Sequence, residues 1–205
     1  MASHLRVQKN DYLRLALTLF VVAALVGTIL SVVHFFTEPI VENSAEKRLN
    51  QSFLDMMGEE SAMEAAVDYS QEIVLGKVHI PIDTIYLAKD SSGNLIGYCV
   101  NVKPVGYSGI IDMLVGLDGE GAVKDVEILS MTETSGVGTK IKTNKAFRAS
   151  LIGLTDSAKI VTHTPKPKDE VQVISGATIS STAYINGVNA AIEAVQILRA
   201  KEVLK

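Results

Sequence analysis

The stretch IIDMLVGLDGEGAVKDVEIL, Ile110 to Leu129, sets two apolar runs on either side of the tetrapeptide DGEG. Just upstream, TIYLAKD (84–90) and LIGYCVNV (95–102) flank SSGN in the same manner. Branched and aromatic residues suit a pleated, half-buried surface, whereas Gly, Asp, Asn and Ser suit turns, so each unit reads as a β-hairpin. Two hairpins in succession put an antiparallel sheet at the centre of the fold. Helical patterns flank it. VENSAEKRLNQSFLDMMGEESAMEAAV, Val41 to Val67, carries Leu49, Phe53, Leu54 and Met57 at helical spacing and predicts an amphipathic connecting helix broken near Gly58. A further helix is predicted around Asn144 to Ile152. In the C-terminal run, Ile185, Val188, Ile192, Val195 and Leu198 recur every three or four residues, which predicts a helix with one apolar face. MTETSGVGTKI (131–141) is a loop rich in Gly and Thr, and THTPKPKDEV (162–171) is a polar connection. The expected class is α+β, an antiparallel sheet with flanking helices.

Ahead of this domain, LALTLFVVAALVGTILSVVHFF, Leu15 to Phe36, contains no charged residue. A helix needs roughly 20 apolar residues to cross a hydrocarbon core. A cleavable signal peptide has a shorter apolar region, about 7 to 15 residues, followed by a small-residue cleavage site, and HFFTEPI supplies none. A core helix of a soluble domain would keep a polar face. The expectation is a retained single-pass anchor. Arg6, Lys9 and Arg14 precede the run, and Glu38, Glu42 and Glu46 follow it, so the positive-inside rule leaves the N-terminus in the cytoplasm. The expected organisation is a cytoplasmic N-terminus at 1–14, a transmembrane helix at 15–36, a connecting helical segment at 37–70 and the folded domain at 71–205.

Composition narrows the function. A formal charge of -4, with no basic tail or basic-aromatic stripe, argues against nucleic-acid binding. Cys99 is the single cysteine, and His4, His34, His79 and His163 stand far apart, so neither a disulfide scaffold nor a metal site is expected. Cys99 lies in an alternating apolar run and reads as a small buried hydrophobe.

The chemistry concentrates in VISGATISSTAYINGVNAA, Val171 to Ala190, where Ser175, Thr178, Ser180, Ser181 and Thr182 stand just before an apolar helix. Hydroxyl residues are preferred helix caps, and Ser180, Ser181 or Thr182 would serve. The same helix start, with its free N–H groups and positive dipole end, also suits a phosphate, and Gly176 and Ala177 leave room for one to approach. From the residues alone both readings stand. The segment is not a P-loop, because its Lys-Ser/Thr pair is missing.

SGATISSTAYINGVNAAI resembles the attachment motif of the FMN-binding domain family, and GYSGIIDMLVGLDGEG and TETSGVGTKI resemble two further blocks of that family in the same order. With one N-terminal anchor ahead of them, the combination is similar to the G subunits of Rnf-type electron-transport complexes. The resemblance implies that Thr178 bears FMN through a phosphoester, with Ser175, Gly176 and Ala177 completing the motif. It implies that Thr134, Gly136 and Gly138 form the loop facing the flavin, with Ser135 where many relatives have proline. Tyr107, Ser108 and Gly109 are either a wall near the cofactor or a tight turn leading into the Ile110 strand.

The activity that this resemblance implies is electron carriage rather than catalysis by the isolated chain. The family's complex couples ferredoxin:NAD electron transfer to Na+ or H+ translocation across a bacterial or archaeal cytoplasmic membrane. The flavin domain would lie on the outer side, with the other complex subunits as partners and a flavin transferase for maturation. No dinucleotide fingerprint is present, which speaks against direct NADH oxidation. Two alternatives remain. One is the C subunit of the sodium-translocating NADH:quinone reductase, usually longer than 205 residues. The other is a non-redox membrane-anchored scaffold whose hydroxyls only cap a helix.

Overall fold

A computed structural model describes residues 9–67, 72–165 and 169–200. The chain divides into two compact units, residues 1–47 and 48–205. The first contains most of helix α1, Lys9–Met57. Within it, Tyr12–Phe35 is long and apolar enough to cross a membrane, and none of it is buried by protein. Its two threonine hydroxyls are satisfied locally. Thr18 Oγ1 donates to Arg14 O and Thr28 Oγ1 to Ala24 O, each at 2.8 Å, so neither offers a bare donor to lipid. Arg6, one of the basic residues in the orientation argument, lies outside the described residues, as do 166–168 of the polar connection.

The second unit is built on a six-stranded sheet ordered β1-β3-β4-β5-β6, with β2 paired to β3. The strands are β1 Ala62–Val67, β2 Glu72–Leu75, β3 Val78–Lys89, β4 Leu95–Val102, β5 Ile111–Asp118 and β6 Val123–Met131. Every pairing among them is antiparallel. The two hairpins expected from the sequence are β3–β4 and β5–β6, and they turn by one device. In the first, Asp90 Oδ1 accepts the N–H groups of Ser92 and Asn94, each at 2.8 Å. In the second, Asp118 Oδ1 accepts those of Glu120 and Ala122, each at 2.9 Å. An aspartate that folds back on its own backbone, with glycine three positions later, closes both loops. The Asn94 side-chain and backbone amides hold the Asp90 carboxyl below the usual carboxylate range.

Strand alternation sends side chains to two cores. Tyr98, Val100 and Val102 of β4, with Met113, Val115 and Leu117 of β5, join the cluster that includes α4, Thr178–Ala200. Cys99 and Leu114 join the other cluster, with Ala88 and with Phe53, Met56 and Met57 from the end of α1. The helical pattern around Leu49 to Met57 thus exists to cover the second sheet face. The helix stops where expected, Gly58 N–H donating to Leu54 O at 2.8 Å. The predicted helical segment at 37–70 does not continue beyond it: Ala62–Val67 is strand β1, because its backbone completes the edge of β3 at Ile85–Lys89. That edge is a tertiary partner which helical spacing cannot register.

The α4 pattern is also wider than one face. Ile185, Val188, Ile192, Val195 and Leu198 are buried as expected, but so are Ala183, Gly187, Ala190, Ala191 and Ala194. Small side chains let a second layer close over the helix, bringing Ile141, Phe147, Leu151, Leu154 and Ala158 into the same core. Asn189 belongs to this contact, accepting from Ala158 N at 2.7 Å and donating to Ala158 O at 3.1 Å. The helix expected at 144–152 is shorter, α3 Lys145–Ala149, preceded by α2 Lys140–Thr143. Asn144 caps α3 by accepting Phe147 N–H at 3.1 Å. Arg148 anchors α3 to β6, donating to Val126 O at 2.8 Å and to Glu127 Oε2 at 3.1 Å. A small parallel pair, β7 Lys159–Val161 and β8 Glu170–Gln172, completes the layer.

Cys99 has none of its surface exposed, and burial pushes its thiol up to about 12. Only the thiolate reacts, so the folded chain should resist maleimide at pH 7.5 and be labelled fully after denaturation. Rapid labelling of the folded chain would contradict this packing of β4.

Candidate functional site

The segment from Ile174 to Ser181 turns before it becomes a helix. Ala177 N–H donates to Ile174 O at 2.9 Å, and Gly176 lies between them at φ +78°, a conformation that L side chains rarely adopt. Thr178 is the first helical residue of α4. The hydroxyls after it are therefore inside the first turns, and none of Ser180, Ser181 and Thr182 is the cap. Ser181 instead staples the turn: its Oγ accepts Ile174 N–H at 3.1 Å and donates to Ala177 O at 2.8 Å. Ser180 Oγ leaves the helix altogether and donates to Glu133 Oε2 at 2.6 Å. At the first turn, the N–H groups of Thr178, Ile179 and Ser180 have no intrahelical acceptors. Thr178 and Ile179 are exposed.

This turn forms one wall of a cavity of about 550 Å³. Gly176, Ala177, Thr178, Ile179 and Ser180 line that wall, Glu133, Thr134, Val137 and Gly138 line a second, and Tyr107 closes a third. Three segments widely separated in sequence thus meet where the resemblance joined them. The second wall is a compact loop. Thr134 O accepts the N–H groups of Val137 at 3.2 Å and Thr139 at 3.3 Å, and Thr139 Oγ1 accepts Gly136 N–H at 2.9 Å. The third begins with a tight turn in which Gly106 N–H donates to Gly109 O at 2.8 Å and Val105 bridges Ile110.

The expected site residues divide accordingly. Tyr107, Thr134, Gly138, Gly176, Ala177 and Thr178 line the cavity. Ser108 is off the lining, its Oγ 3.3 Å from Thr134 Oγ1. Gly109 serves the turn, packed against Thr132. Gly136 is in the loop but off the lining, and Ser175 faces a separate cavity of about 370 Å³ with Asn144 and Phe147. Tyr107 lines the cavity, and Gly109 closes the turn that leads into the Ile110 bridge.

Glu133 was not anticipated. It is 8% exposed, its Oε1 accepts Ser108 N–H at 3.1 Å, and its Oε2 accepts Ser180 Oγ–H. One carboxylate therefore ties all three walls together. A Cβ on Gly106 or on Gly138 would collide with it, so these glycines are needed for close approach. The available signal was an acidic residue standing alone within a Gly/Thr loop.

The residues present fit a phosphate-linked planar cofactor. Small-molecule sites commonly occupy about 300–1,000 Å³. Tyr107, Val137 and Ile179 remain 69%, 45% and 55% exposed, and together offer an apolar surface to a flat ring. The Thr178 hydroxyl stands at a helix start suited to an anion, and Lys140 Nζ lies 3.8 Å from the position of a Cβ on Gly176. Gly176, Lys140 and the α4 N-terminus would hold the phosphate, and the Tyr107, Val137 and Ile179 side chains the ring.

Comparison with known proteins agrees. Residues 106–193 match the family model described as FMN-binding domain. The G subunit of the Na(+)-translocating ferredoxin:NAD(+) oxidoreductase complex of Acetobacterium woodii is 25% identical, over 90% of this chain and 92% of its own length. The G subunit of the proton-translocating complex of Clostridium ljungdahlii is 26% identical, over 91% and 93%. The G subunit of the ion-translocating oxidoreductase complex of Haemophilus influenzae (strain PittEE) is 30% identical, over 80% of each chain.

Proposed function

We propose, since this chain belongs to the family of G subunits of ion-translocating oxidoreductase complexes, that it is the membrane-anchored electron-carrier subunit of such a complex, holding FMN through a phosphoester on Thr178. The carrying observation is the cavity itself: three separate segments converge on it, and an exposed threonine, the first residue of α4, lines it. Bound flavin supplies the redox chemistry, and the chain supplies position and electrostatics. Its own residues bind and orient. The Tyr107, Val137 and Ile179 side chains exclude water from the ring faces, and Lys140 with the helix start balances the phosphate charge. The complex named for the relatives passes electrons between ferredoxin and NAD(+) while moving ions; here the same role is proposed, as a relay between neighbouring carriers.

The anchor Tyr12–Phe35 and the membership in a membrane complex support membrane association. The basic residues before the anchor favour a cytoplasmic N-terminus and a flavin domain on the outer side of the cytoplasmic membrane. That location gives covalency a reason. A dissociation constant of about 1 µM corresponds to roughly 8 kcal/mol, so free FMN near 1 nM would fill only about one site in a thousand. A phosphoester removes the dependence on free cofactor. The threonine hydroxyl is a weak nucleophile and a phosphate monoester has no good leaving group, so a flavin transferase completes the proposal: it takes the hydroxyl proton while the threonine oxygen displaces a nucleotide from a flavin phosphate diester. Relatives matched over 80 to 93% of their lengths carry the G-subunit name, which favours this reading over the C subunit of a sodium-translocating NADH:quinone reductase.

Co-expression with a flavin transferase should give a full-length chain whose denatured gel band fluoresces as flavin and whose mass increases by one phosphoester-linked FMN. A dark band at wild-type mass would overturn the attachment. An alkaline-phosphatase fusion after Lys205 should be active, whereas an inactive but intact fusion would reverse the orientation.

A further inference from the structure

The attachment reading leaves Glu133 without a role. Its carboxylate is nearly buried at the cavity wall, and among the described residues no lysine, arginine or histidine pairs with it. Among the described residues, its oxygens accept from Ser108 N–H and the Ser180 hydroxyl. Taking a carboxylate out of water without a cation is costly, and tying three segments does not demand a charge. Glutamine would make the same ties: its Oε1 would accept Ser108 N–H, and its amide would donate to Ser180 Oγ, which can reverse from donor to acceptor. What the carboxylate adds over the amide is one negative charge, and its burial in the wall reduces screening of its field by water.

We infer that Glu133 sets the electrostatic cost of electron uptake in this cavity, its carboxylate lowering the reduction potential of the flavin held there; the inference rests on the flavin reading above. A reductant delivers electrons to the cavity, and wherever fewer protons than electrons enter, the site gains negative charge. A carboxylate in the cavity wall opposes that gain, whichever carrier donates. The two hydrogen bonds and the contacts over Gly106 and Gly138 keep the charge from swinging out to water.

The test is a dithionite titration of the flavin-loaded full chain in detergent, comparing wild type, Glu133→Gln and Glu133→Asp. The expected result for E133Q is a higher potential, corresponding to about a tenfold shift in the reduction equilibrium, or about 59 mV for a one-electron step. E133D keeps the charge and should stay close to wild type. Thermal unfolding of the flavin-free chains is the second readout, and E133Q should melt within a few degrees of wild type. An unchanged or lowered potential in flavin-loaded E133Q overturns the inference while leaving the attachment intact. A potential in E133D raised as far as in E133Q also overturns it, by assigning the effect to shape. An E133Q chain that no longer folds assigns the residue to structure and counts against it equally. A wild-type chain without flavin sinks the attachment and this inference together.

Discussion

Thr178→Ala should fold normally, enter the membrane and lose flavin fluorescence from its denatured band completely. The effect is all or none because a phosphoester needs an oxygen at that position, and alanine has none. The structure gives reason to expect no confounding damage. Thr178 is exposed, and its backbone oxygen, not its hydroxyl, receives the Ser181 side chain at 3.2 Å. Alanine is the best helix former, so stability should change by no more than about 0.5 kcal/mol. Thr178→Ser should remain fluorescent. The neighbouring hydroxyls supply the controls: Ser175→Ala and Thr182→Ala should each retain fluorescence, since Ser175 faces another cavity and Thr182 is off the lining. Fluorescence surviving in T178A would move the attachment elsewhere in the cluster.

Tyr184→Ala should be the most damaging single truncation near the site, lowering stability by about 3–5 kcal/mol, the usual range for removing a buried large aromatic side chain. Since domains are stable by only about 5–15 kcal/mol, this loss removes about a fifth or more of the total. Tyr184 has no exposed surface, and its ring lies 5.5 Å from that of Phe147 at 56°. Its hydroxyl donates to Val126 O at 3.4 Å. One side chain therefore joins α4 to both β6 and α3, six positions after the proposed attachment residue. Burial also raises its phenol well above the ordinary tyrosine range, so it remains neutral and keeps its donor. Tyr184→Phe, which forfeits only a long hydrogen bond, should cost about 0.5–1.5 kcal/mol. Urea unfolding of the detergent-solubilised chain measures both. A Tyr184→Ala cost below about 1 kcal/mol would contradict this account of the core.

Local chemistry carried the features that were legible in the sequence. A run of uncharged, mostly apolar residues long enough to cross a bilayer core is its own signal, and residues 15–35 of the helix are such a run. Alternation around DSSGN and DGEGA specified both hairpins, because an aspartate bonding to its own backbone needs no distant partner. The periodicity of Ile185 to Leu198 specified the final helix for the same reason. Where the reading erred, the decisive partner was far along the chain. Ala62–Val67 became a strand because β3 offered an edge, and α4 became buried nearly all round because the segment from Ile141 to Ala158 folds over it.

The same division runs through the site. Its three blocks and its candidate threonine were visible as residues, and the resemblance put them in order. Only the tertiary structure decided that Ser180 reaches Glu133 instead of capping a helix, that Ser175 turns away, and that Gly106 and Gly138 make room for one carboxylate. A hydrogen bond between residues 133 and 180 leaves no periodic trace in either segment. Sequence by itself determined which short pieces form and which chemistry they carry. Packing determined which piece faces which, because the free energy of a buried charge depends on atoms that the chain brings near only when it folds.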